Sequence, residues 1–281
     1  MSATPPRSLL FVSAEKPGRF SKALAGGADL VCVDLEDAVH AEAKPKARAD
    51  VIGWLASLSA EVRRNVVVRI NGLSTLDGLQ DVLALSGAAE RPGWLMLPKV
   101  EYAGELQLLA AWLPSRDART VALIETPTGV ENVFSIARAG GELAALMLGG
   151  ADLCAELGVS MAWDSLHHAR GRMVNAAKAA GIQAWDVPHL SIADAVAIED
   201  ETRRVLALGY DCKAAIHPRQ LSAIHAAFRP SSSEVAWATA LTASAPSDLT
   251  GAFSVDGQMV DAPVLRRARQ VLARAAQPNE R

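Results

Sequence analysis

Eight short apolar runs recur along the chain: Leu9–Val12, Leu30–Val33, Val66–Val68 with Ile70, Trp94–Leu97, Val121–Ile124, Ala144–Leu148, Ile182–Trp185 and Cys212–Ile216. Segments of helical period separate them, such as the one carrying Leu106, Leu109, Ala110 and Leu113. Near-continuous apolar strands alternating with helices predict a parallel sheet covered on both faces. Eight such units within about 220 residues match a closed (β/α)8 barrel in size and count. An open, doubly wound sheet is the competing fold. Against it, the first run leads into Val12-Ser-Ala-Glu-Lys-Pro-Gly18, which is no glycine-rich dinucleotide fingerprint.

The stretch from Thr120 to Leu153 shows the unit most clearly. Two buried-type strands each end in one carboxylate, Glu125 and Asp152, the second after the pair Gly149-Gly150. The helix between them opens with Thr126 as N-cap and Pro127 as first residue. One βαβ crossover makes the two strands parallel. As neighbours they put both carboxylates on one rim, where two hard oxygen ligands, with glycines leaving room, suit a magnesium ion that keeps exchangeable waters.

Polar residues follow the other runs as well: Asp34, Glu36 and Asp37 after the second, Arg69 and Asn71 at the third, Lys99 after the fourth, Asp186 after the seventh and His217 after the eighth. In barrels the C-terminal rim carries the active site. Helix capping accounts for Ser, Thr and some Asp, but it does not account for Arg69 or Glu125.

After Phe228 the pattern changes. A helix opens at Pro230–Ser233 and runs to about Ala245, 246–251 is a loop, and Ala252–Val255 and Gln258–Val260 form a hairpin around Asp256-Gly257. A last helix starts at Asp261–Pro263. The expected division is a barrel over 1–229 and an extension over 230–281, too small to hold a core alone and so packed on the barrel or on an adjacent subunit. The last few residues are expected to fray.

Composition narrows the functional classes. Half of the 281 residues are apolar and the formal net charge is -3. No basic block advertises nucleic acid or an acidic membrane surface. Cys32, Cys154 and Cys212 are odd in number and set in or beside apolar segments, as suits a reducing cytoplasm. Neither a signal peptide nor a membrane span is legible, so the expectation is a soluble cytoplasmic protein that meets small molecules or copies of itself.

Several segments in order carry a family resemblance: Arg7–Val12, Ala28–Val39, Val68–Asn71, Leu97–Lys99, Ile124–Thr126, Gly150–Leu153, Ile216–Pro218 and Gly257–Asp261. Together they resemble the citrate lyase beta-subunit-like proteins of the HpcH/HpaI aldolase superfamily, with malyl-CoA and related acyl-CoA lyases close by. The chain departs at Val12-Ser13-Ala14, where the family often has a Val-Pro-Gly-like turn. The resemblance implies a TIM barrel, a homotrimer, magnesium, and carbon–carbon lyase chemistry on CoA thioesters or 2-oxo acids.

Onto this chain the resemblance carries Glu125 and Asp152 as the metal pair and Arg69 as a substrate-binding arginine. A planar fork at Arg69 suits a carboxylate or a developing oxyanion; the structural alternative is an ion pair with Glu36 or Asp37. Glu36 and Asp37 are expected beside the substrate, holding the metal's waters or an arginine, while one of the three acids after the second run pairs with Arg7, Lys44 or Arg69. Lys99 reads as charge-balancing rather than a Schiff-base lysine, His217 as a packed or capping residue, and His167-His168 as a helix face. Asp261 either sits at the last helix's N-terminus, stabilised by its dipole, or, by resemblance, reaches a neighbour's active site and exchanges a proton with the enolate carbon. Arg19 and Lys22 are candidates for CoA phosphates.

The expected activity is a magnesium-dependent lyase that cleaves or forms a citryl-, malyl- or citramalyl-CoA type thioester, CoA being part of the substrate. Two alternatives stand: a pyruvate-type aldolase acting on free acids, and a subunit active only with a partner lyase chain.

Overall fold

The computed structural model describes residues 5–113, 118–245, 252–255 and 258–276. The expected eight strands form: β1 Ser8–Ser13, β2 Leu30–Asp34, β3 Val66–Arg69, β4 Trp94–Leu97, β5 Arg119–Ile124, β6 Leu143–Leu148, β7 Gln183–Asp186 and β8 Cys212–Ala215. All pair in parallel in chain order, and β1 pairs with β8, so the sheet closes into a (β/α)8 barrel.

Side chains alternate along each strand, and this parity builds two apolar layers. Leu9, Leu30, Cys32, Val67, Met96, Val121, Leu123, Met147, Trp185 and Ala214 fill the barrel interior. Val33, Val68, Leu95, Ile124, Leu148 and Ala184 face the other way, into the surrounding helices. Ile70, grouped with the third run on sequence, lies beyond the strand and joins this outer layer. The helix Pro127–Ala137 starts where expected, because Thr126 Oγ1 accepts the Gly129 N–H at 3.0 Å and Pro127 lacks the donor a first turn cannot use.

The chain divides into two compact units, Met1–Ile224 and His225–Arg281. The second holds the helices Ser232–Ala243 and Ala262–Ala275 and the antiparallel pair β9 Phe253–Val255 and β10 Gln258–Val260. The expected Asp256-Gly257 turn, the 246–251 loop and the fraying end lie outside the described residues. This unit has a small apolar cluster: the arginine-rich last helix keeps one apolar stripe, and Leu265, Ala268 and Val271 cluster with Ala238, Leu241 and Val260. Cys32, Cys154 and Cys212 are free thiols. Among the described residues no helix is long and apolar enough to cross a membrane.

Candidate active site

Counting in twos along the inward rows leads past the apolar filling to the C-terminal rim. Leu30 and Cys32 are followed by Asp34, Val67 by Arg69, Val121 and Leu123 by Glu125, and Met147 by Gly149. These ends meet around a cavity of about 380 Å³, whose wall also includes Phe11, Asp37 and Asp152.

Arg69 is gripped by Asp34. Its Nε and Nη2 donate to the two oxygens of that carboxylate at 2.7 and 2.5 Å, and its guanidinium lies 5.5 Å from the Phe11 ring centroid. Nη1 is 2.8 Å from Glu36 and 3.8 Å from Asp37. Burial disfavours the cation, but Asp34 and Glu36 outweigh that and hold its pKa above the ordinary value. The principal partner is therefore Asp34, one of the three acids from which a scaffold partner for Arg7, Lys44 or Arg69 was expected, ahead of Glu36 and Asp37. Parity was the available signal, since Asp34 stands two residues after Cys32 on an inward row. Asp34 also accepts the Glu36 and Ala38 N–H groups, at 2.9 and 3.3 Å, so one carboxylate fixes both the arginine and its own loop. Arg7 pairs with Asp29 and Lys44 with Asn71 instead.

Glu125 is buried, and its Oε1 accepts the Lys99 backbone N–H at 2.9 Å. Burial first, and then the charges of Glu36 and Asp152, push its carboxyl up to about 8 against the opposing pull of Arg69. Gly149 makes the space. A Cβ there would collide with the Glu125 side chain itself, so this glycine makes room for a protein carboxylate at the wall of the cavity that it also lines. Asp152 lies in the first turn of the helix Gly150–Leu157, where the helix dipole favours a negative charge.

Lys99 connects the two sides. It holds a left-handed backbone, φ +52°, rare for a residue with a Cβ. Its ammonium is 3.1 Å from Glu36, 3.7 Å from Asp152 and 3.9 Å from Asp37. Partial burial disfavours that charge, but the three carboxylates push its pKa up to about 12. Glu36 is buried and its carboxyl is raised, chiefly by burial; Oε2 takes no hydrogen bond despite its nearness to Arg69. The site thus sets five carboxylates (34, 36, 37, 125, 152) against two cations (69, 99).

Such an excess calls for a cation. Among the described residues no three or more His, Cys, Asp or Glu side chains form a ligand cage. Two carboxylates beside an open cavity suit magnesium, which keeps several waters, better than zinc or calcium.

Other candidates have settings of their own. Arg19 and Lys22 are exposed beside the Phe20–Leu24 helix. His217 caps the turn at Pro218–Gln220 by accepting the Arg219 N–H at 3.1 Å, and His167 and His168 are exposed on the helix Trp163–Ala180. In the second unit Asp261 caps the last helix, accepting the Val264 N–H at 3.2 Å. Asp186, read as a rim residue, has outward parity instead. It is buried with Lys213 and Arg170 at 2.6 and 2.9 Å, and Lys213 also reaches the Val187 carbonyl at 2.6 Å and Glu201 at 2.5 Å.

A closed parallel barrel whose C-terminal rim gathers an acid-rich cavity defines a TIM-barrel enzyme. The model of the HpcH/HpaI aldolase/citrate lyase family matches residues 7–218. The chain belongs to that family and is a lyase. It is 39% identical over 275 residues to a citrate lyase subunit beta-like protein of Mycobacterium tuberculosis, covering 95% of each chain. It is 31% identical to an L-malyl-CoA/beta-methylmalyl-CoA lyase of Cereibacter sphaeroides, over 97% of this chain and 95% of the other. The crystal structure of the M. tuberculosis CitE protein in complex with magnesium, acetoacetate and coenzyme A superposes with a TM-score of 0.85 at 38% identity, covering 98% of this chain and 99% of that one.

Proposed function

We propose that this protein is a magnesium-dependent lyase that cleaves, or in reverse forms, the carbon–carbon bond between an acyl-CoA enolate and a 2-oxo acid. The observation that carries the proposal is the acid-rich cavity in which Glu125 and Asp152 face the Asp34-held Arg69. The similarity to a malyl-CoA lyase and to a structure holding magnesium and coenzyme A supports it.

Glu125 and Asp152 would hold the ion. When bound, magnesium supplies a Lewis acid that orients the 2-hydroxy acid part of the substrate and acidifies its hydroxyl. Arg69 stabilises negative charge on the substrate oxygen as the carbonyl forms. Two of its five N–H groups are spent on Asp34, leaving three for Glu36 and the substrate. Asp34 keeps that fork from turning, so stabilisation needs little reorganisation. Glu36 and Asp37 would border the substrate and its waters, and exposed Arg19 and Lys22 would meet CoA phosphates.

The 1–229 barrel would be the catalytic domain and the 230–281 tail an extension on the barrel or on an adjacent subunit. Asp261 of a neighbouring copy in a trimer would protonate the departing enolate carbon. The free cysteines suit a reducing cytoplasm.

The test is incubation with citryl-, malyl-, citramalyl- and hydroxymethylglutaryl-CoA, with and without magnesium, with mass spectrometry of the products. Magnesium-dependent release of a 2-oxo acid and an acyl-CoA from one member is the expected result. Silence across the panel, with cleavage of a free 2-oxo acid adduct, would make the protein an aldolase; activity only with a partner chain would make it a dependent subunit.

A further inference from the structure

The Lys99 side chain is not needed for the chemistry above, yet its placement is built. The left-handed backbone that Lys99 adopts is one that residues with a Cβ rarely take. The conformation points one residue at two parts of the same acidic set: the backbone N–H at Glu125, and the ammonium at Glu36, Asp37 and Asp152. The other cation, Arg69, is committed to Asp34 and Glu36 and has no ion pair with Asp152. Asp152, in turn, has Lys99 as its only ion-pair partner among the described residues.

We propose that Lys99 is the resident counter-cation of this site, a positioning residue that neutralises Asp152 and Glu36 in the metal-free protein and thereby sets how tightly a divalent cation binds. The inference rests on the reading of Glu125 and Asp152 as the pair that takes magnesium. The ammonium has a single charge and is half exposed, so a divalent ion held by two carboxylates displaces its influence instead of being excluded by it. Lysine suits the task, because its flexible stem lets the ammonium leave Asp152 while remaining with Glu36. Affinity is thereby held down to a level at which the ion can exchange. The Lys99 amide continues to hold Glu125 whatever the side chain, so removing the amine leaves that contact in place.

The test is isothermal titration of magnesium chloride into the metal-stripped full-length protein and three variants, with circular dichroism as the check on folding. Lys99→Met removes the amine and keeps the Cβ; Lys99→Gly removes the amine and relaxes the backbone; Lys99→Arg keeps the charge. The expected result is magnesium binding about tenfold tighter in Lys99→Met and Lys99→Gly, and within about twofold of the parent in Lys99→Arg. Unchanged or weaker binding in Lys99→Met overturns the assignment. Tighter binding in Lys99→Gly alone also overturns it, since the effect would then belong to the backbone. If no magnesium binds to any of the four proteins, the metal reading itself fails and takes this inference with it; binding to the parent with no response in the variants fails the inference only.

Discussion

Two clusters of charged side chains, one on each face of the barrel wall, obey opposite rules. In the layer between barrel and helices, Arg170, Asp186, Lys213 and Glu201 balance two cations against two carboxylates. Lys213 uses its three donors on Asp186, Glu201 and the Val187 carbonyl, and the Arg170 guanidinium carbon lies 4.7 Å from the centroid of the Trp163 ring. At the rim, five carboxylates face two cations and Glu36 keeps a buried oxygen without a hydrogen bond. Burial alone therefore does not mark a working site; uncompensated burial does.

The largest separation is expected from replacing one carboxylate in each cluster by its amide. Glu125→Gln should reduce kcat/KM by about a thousandfold or more, since it removes a proposed ligand of a Lewis acid worth several kcal/mol; steady-state kinetics on the cleaved thioester checks this. The same variant, metal-free, should be more stable at neutral pH by about 1 kcal/mol, a rise of a few degrees in Tm, because a carboxyl that must take up a proton to be buried is replaced by a neutral amide. Asp186→Asn should do the reverse and destabilise the fold by about 3 kcal/mol in denaturant titration, because Lys213 and Arg170 lose their shared partner. If both amides shift stability in the same direction, the distinction between the clusters fails.

Acid sharpens the contrast. Burial disfavours the Asp186 carboxylate, but Lys213 and Arg170 overcome it and hold the pKa below the ordinary value. A depressed carboxyl contributes stability above its unfolded value, near 3.9, and that contribution is lost as pH falls. Stability curves of the parent should fall below about pH 4 more steeply than those of Asp186→Asn. The smallest effect is expected at Gly149. Gly149→Ala presses on the Glu125 side chain, and overpacking of this kind costs about 1–3 kcal/mol. It should weaken magnesium binding, read by calorimetry, while the far-UV spectrum is unchanged.

The eight strands were legible because each is an apolar run bounded by polar turns, and the rim acids were legible because each follows such a run. The pairing inside the site was not. Asp34 and Arg69 are 35 residues apart, and only the parallel β2–β3 register, which sets them opposite one another, makes them partners. The balanced cluster was still harder to see, since its members lie on four elements and two look like ordinary charges on helices. One trace was there: Lys213 interrupts an otherwise apolar run, and a lysine in a buried strand needs partners.

The inward rows change character in a single step, from apolar filling to the residues of the site, at positions 34, 69, 125 and 149. For protein engineering, this makes the rim modular. Randomising other wall positions, such as Pro188 and Ile216, while retaining those four would vary the shape offered to a substrate without repacking the filling beneath. A library built on that division would sample new specificities on an inherited chassis, and its folded fraction would report how independent the two layers are.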